Sequence, residues 1–230
     1  MAQELLISCD KYTFMKKSNW THSNALTENV IFLLGILVFA FFIGQKHGLV
    51  VVALAGLILS VIVISIRIRN VKDLPVVFGF GKFYIPSLFF LPFAIIAGVL
   101  FGVIYRDSLD IGLIPSRLTG FAILASMIGA TEELLFRGYF QTQIRKYGAF
   151  LSVLFASMAH TAYKFLFFLP IDAGLRIDLS GLLLWTFVGG LIFGLLKENS
   201  KSTIYPILGH VAFDIIVYGD RIISPWWIWT

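Results

Sequence analysis

Thr131-Glu132-Glu133-Leu134-Leu135-Phe136-Arg137-Gly138-Tyr139-Phe140 (TEELLFRGYF) closes a run, 118–130 (LTGFAILASMIGA), with no charged residue. That run is long and apolar enough to enter a bilayer. An ionisable group at the centre of a spanning helix costs about 2.5–3.5 kcal/mol on insertion scales, so such groups are rare and mark function by default. On a helix Glu133 and Arg137 are i,i+4 neighbours and pair on one face. Glu132 lies about 100° around the axis from Glu133 and cannot share that geometry. One glutamate is expected to be neutralised within its own helix, and the other to be available.

The surrounding chain has the composition of a polytopic membrane protein. Of its 230 residues 58% are hydrophobic and 13% charged, with a mean hydropathy of +0.89. Soluble domains hold about 45–50% apolar and about 25% charged residues. The formal charge of +5, from 18 Lys and Arg against 13 Asp and Glu, is read as loop charge on one side of a membrane and not as a nucleic-acid surface. The single Cys9 excludes an intrachain disulfide and a cysteine-rich metal site. Asn19-Trp20-Thr21 fits a glycosylation acceptor by chance, since its expected side is cytoplasmic.

A spanning helix needs about 20 mostly apolar residues. By that measure helices are expected at 29–45, 49–66, 83–105, 117–138, 149–168, 180–197 and 202–219. Residues 1–28 are expected as a cytoplasmic or interfacial leader, without a cleaved signal, and 29–230 as a single transmembrane domain. Lys46-His47-Gly48 reads as a tight turn, and 67–82 as a basic loop that Pro75, Gly79 and Gly81 keep from being helical. The loops at 106–116 and 169–179 carry Asp and Pro, and Pro225-Trp226-Trp227-Ile228-Trp229 reads as an interface anchor. With the N-terminus inside, the inner segments carry Lys11, Lys16, Lys17, Arg67, Arg69, Lys72, Lys82, Arg137, Arg145, Lys146, Lys197 and Lys201. The outer ones carry Lys46, Arg106, Arg117, Lys164, Arg176 and Arg221. This two-to-one bias supports a cytoplasmic N-terminus in a multi-pass cell-membrane protein. The expected fold is an all-α transmembrane bundle of about seven to eight helices around a cytoplasm-facing hydrated cavity.

Two more spans carry ionisable groups: His160 in the fifth, and His210 with Asp214, again i,i+4, in the seventh. At a rise of 1.5 Å per residue, His210 lies roughly 12 Å and His160 roughly 17 Å from the inner ends of their spans, a depth Glu132 can share. Three costly clusters at compatible depth are most simply accounted for by one cavity. A carboxylate beside an imidazole can take a proton from water and return it to a leaving amine, and a second histidine can stabilise an oxyanion. Neither Ser126 nor Ser157 sits in a nucleophile elbow, and there is no H-E-x-x-H, although two histidines and a carboxylate are a possible zinc donor set.

Glu132-Glu133-x-x-x-Arg137, then His160, then His210-x-x-x-Asp214, in this order over residues 117–219, resembles the CAAX protease and bacteriocin-processing (CPBP, Abi) family of intramembrane proteases, the type II CAAX endopeptidases. The resemblance implies an intramembrane endopeptidase hydrolysing a peptide bond near the cytoplasmic face. Glu132 and His160 would activate the water, His210 and Asp214 would serve the oxyanion, and Glu133 and Arg137 would support the site. It implies a peptide or protein substrate, such as a prenylated tail or a bacteriocin precursor, in contact with the lipid bilayer and without nucleic acid. No cofactor is expected to be required; zinc, if bound, would use Glu132, His160 and His210. The sequence departs from the family pattern twice. Ala156 stands where the family usually has Phe before the histidine, leaving Phe155 one position early, and Asp214 stands where Asn is more frequent. An ionised Asp214 only accepts, so orienting His210 is its expected role. A non-catalytic scaffold or self-immunity protein of the same fold is the alternative. A proton-coupled transporter is disfavoured by the lack of repeated halves.

Overall fold

The computed structural model describes residues 22–43, 49–81, 88–169 and 179–220. Cys9, Asn19 to Thr21, the Lys46 to Gly48 turn, Lys82, residues 170–178 and the tryptophan cluster lie outside the described residues. Every regular element among those described is helical: α1 His22–Ile43, α2 Val50–Arg67, α3 Leu74–Val77, α4 Phe90–Ser108, α5 Gly120–Glu133, α6 Gln141–Ile144, α7 Ala149–Phe168, α8 Leu179–Ser200 and α9 Ile204–Tyr218. Five of them (α1, α2, α4, α7 and α8) are long and apolar enough to cross a membrane, and α9 is a shorter apolar helix. The chain is therefore a multi-pass, all-α membrane protein.

A helix appears at each of the seven expected positions, with the expected ends at 149–168 and shifted ends elsewhere. Residues 22–28 of the expected leader belong to α1, and Glu28 there pairs with Arg67 at the end of α2. The expected non-helical 67–82 loop contains a 3-10 turn, Val71–Asp73, followed by α3. Pro75 sits in the first turn of α3, where its missing N–H removes no helical hydrogen bond. Asn70 and Asp73 cap the turn reciprocally.

The helix expected at 117–138 runs on to Ile144, because α5 passes through a π-helical segment, Leu134–Phe140, directly into α6. π segments are rare and are frequently found at functional sites. Here the segment begins at the residue after Glu133. It also supplies Phe136, Tyr139 and Phe140 to the main apolar core, where they meet Phe32 and Ile36 of α1, Val63 and Ile64 of α2, and Ala156 and Ala159 of α7.

The bundle pairs α1 with α2 and α7, α4 and α5 with α9, and α7 and α9 with α8. α4 and α9 touch backbone to backbone: a Cβ on Gly98 would stand 2.0 Å from the Gly209 carbonyl oxygen. Such small-residue contacts are how helices approach where lipid removes the hydrophobic drive between them. Large apolar side chains on the outer faces of α2 and α4, among them Val51, Ile58, Phe93, Ile96 and Leu100, remain exposed, as a lipid-facing surface requires.

Candidate active site

α5, α7 and α9 bring the polar groups of three distant sequence segments to one point inside the bundle. Glu132, Glu133, Arg137, His160 and Asp214 are all buried. Glu132 is the penultimate residue of α5, and its Oε2 lies 3.2 Å from His160 Nε2 and 3.9 Å from His210 Nε2. Its other oxygen, Oε1, accepts from Lys164 Nζ at 2.5 Å. Glu133 Oε1 receives Arg137 at 3.1 Å and His210 Nδ1 at 3.0 Å. Arg137 thus pairs with Glu133 as its i,i+4 spacing predicts, and the same NH1 reaches His160 Nδ1 at 2.7 Å.

This last contact sets the state of His160. A guanidinium has no acceptor, so Arg137 must donate and Nδ1 must accept. The ring is then neutral and carries its proton on Nε2, which donates to Glu132 Oε2. Phe136 stacks on the imidazole, with ring centroids 4.7 Å apart, and fixes its plane. His160 is thus a donor to the Glu132 carboxylate through Nε2.

His210 is oriented by Glu133 and not, as expected, by Asp214. Nδ1 donates to Glu133, whereas Asp214 Oδ2 stands 4.0 Å from Nε2, beyond hydrogen-bond reach. An i,i+4 pair can meet on a helix, but the stronger partner here arrives from α5. The approach depends on Gly129: a Cβ there would lie 2.2 Å from Asp214 Oδ2 and 2.8 Å from His210 Cδ2. Among the described residues, Asp214 Oδ2, Glu133 Oε2 and Arg137 Nε have no hydrogen-bond partner.

Residues 114–216 match the family model described as type II CAAX prenyl endopeptidase Rce1-like. This part of the chain is similar to that family. The matched segment contains Glu132, Glu133, Arg137, His160, Lys164, His210 and Asp214. No curated protein and no solved structure matches the chain.

Lys164 contacts Glu132 but is absent from the site residues expected from the sequence, where it lies in the 149–168 helix and is counted only as an outer-side charge. Its signal was present: it follows His160 by four positions and so shares that helix face.

With Nδ1 accepting from Arg137 and Nε2 donating to Glu132, His160 presents no free lone pair to a metal. A ligating histidine coordinates through one nitrogen and gives the proton on the other to an acceptor. The outer nitrogen of His160 faces the Arg137 donor, so its inner one holds the proton. Among the described residues no group of three or more His, Cys, Asp or Glu has metal-holding geometry.

Proposed function

We propose that the chain is an intramembrane endopeptidase in which Glu132 activates a water for attack on a peptide bond. The observation that supports this most is the placement of Glu132 Oε2 between His160 Nε2 at 3.2 Å and His210 Nε2 at 3.9 Å. The first separation is a direct hydrogen bond. The second is beyond direct hydrogen-bond reach, which leaves His210 Nε2 open to a water or a carbonyl oxygen beside Glu132.

In the proposed cycle Glu132 takes a proton from that water as the oxygen bonds to the scissile carbonyl carbon. His210, held through Nδ1 by Glu133, presents Nε2 to the carbonyl oxygen; with a second proton it donates to the oxyanion. The C–N bond then breaks as Glu132 passes its proton to the departing amine nitrogen. The products are a carboxylic acid and an amine, and no metal enters any step. The Rce1-like match supports a peptide or protein substrate held at the membrane. A prenylated tail and a bacteriocin precursor are the two classes to try first.

The basic chain ends of the bundle, with Arg67, Arg69, Arg145 and Lys146, favour the cytoplasmic side for that end and hence a cytoplasmic N-terminus in the cell membrane. The reading is tested by comparing membrane peptides from cells carrying the wild type, Glu132→Gln or His160→Ala. Peptides that accumulate uncut in both variants identify the substrate. Unchanged peptides in both would refute the reading. Chelation is expected to leave cleavage intact, whereas loss on chelation and recovery with zinc would overturn the metal-free step.

A further inference from the structure

A carboxylate withdrawn from water stays charged only beside a cation or a sufficient set of donors. The cations around Glu132 are few and already committed. Arg137 is shared between Glu133 Oε1 and His160 Nδ1. His160 is neutral by the tautomer argument, and the near nitrogen of His210 is 3.9 Å away. Lys164 Nζ, at 2.5 Å from Oε1, is the partner in direct contact. It reaches the glutamate from the more open side: its side chain is 22% exposed against 5% for that of Glu132.

The two oxygens of Glu132 thus have separate partners. Lys164 occupies Oε1, and His160 and His210 face Oε2. We propose that Lys164 is a positioning residue for the reaction, holding Glu132 as a carboxylate with Oε1 anchored and Oε2 turned to the two histidines. This rests on the protease reading above. Without the ammonium the buried carboxylate is relieved by binding a proton, and a protonated Glu132 cannot take one from water.

The test uses the full chain in membranes and a peptide whose cleavage the wild type supports. Glu132→Gln, Lys164→Met, Lys164→Gln and Lys164→Arg are compared for kcat and KM, with thermal unfolding as the control for folding. Lys164→Met is expected to lose kcat by about 10²-fold, the lower range for a general base, with KM within about threefold of the parent. Lys164→Gln, one atom shorter and uncharged but still an N–H donor, is expected to fall similarly and stands in should the Met variant not fold. Lys164→Arg is expected to recover about tenfold over Met, because a guanidinium also pairs with a carboxylate.

Parental kcat in the Met and Gln variants, with Glu132→Gln inactive, would overturn the proposal and leave the protease reading standing. A rise in KM at unchanged kcat would also overturn it, making Lys164 a substrate contact. Cleavage that survives Glu132→Gln would overturn both.

Discussion

Two arginine–carboxylate sites in this molecule use similar groups to different ends. At one end of the bundle Arg106 of α4 holds Asp220 through two nitrogens, at 2.9 and 3.0 Å. It also donates to the carbonyls of Gly112 and Ile216, while Ser116 N–H donates to Asp220. Each donor there finds an acceptor, and the result ties α4, the following loop and the end of α9 together. In the interior, Arg137 and Glu133 are more deeply buried yet leave Arg137 Nε and Glu133 Oε2 without a partner among the described residues. The end site closes on itself, while the interior site divides its groups between holding one another and aiming two histidines at Glu132.

The contrast breaks first at the two arginines. Arg137→Met strands the buried Glu133 charge and removes the donor to His160 Nδ1, so a loss of about 3–5 kcal/mol is expected. Arg106→Met leaves a part-exposed aspartate that water can reach, and about 1–3 kcal/mol is expected. Equal losses in detergent unfolding would remove the distinction. Gly129→Ala is expected to cost about 1–3 kcal/mol by overpacking and to lower cleavage by pushing His210 off Glu132. Unfolding and turnover measured on the same sample check both effects.

The smallest effect is at Asp220. The hydrogen bonds from Arg106 pull its carboxyl from the ordinary 3.8 down to about 2. A depressed carboxylate contributes stability above its unfolded value and loses it as pH falls through the folded one. The gap in Tm between the wild type and Asp220→Asn should therefore hold down to about pH 4 and close between about 4 and 2. A gap that persists at the acid end would show that the contact does not depend on charge.

Much of this was legible in the sequence because the solvent is lipid: apolar runs of spanning length gave the helices, and charges inside them marked Glu132, His160 and His210. What was hidden was tertiary. The π segment at Leu134–Phe140 leaves no periodic signature distinct from an α-helix. His210 and Asp214 share a face, yet the bond that orients the ring comes from Glu133, 77 positions earlier in the chain. Lys164, near a helix end, resembles a residue that reaches for solvent; only the fold shows it turned to Glu132.

Glu132 itself gives the most direct measurement. Glu132→Gln preserves shape and removes the base, so the folded variant is expected to lose cleavage of a peptide cut by the wild type by about 10²–10⁴-fold. Cleavage at the parental rate by a folded Glu132→Gln protein would contradict the account at its centre.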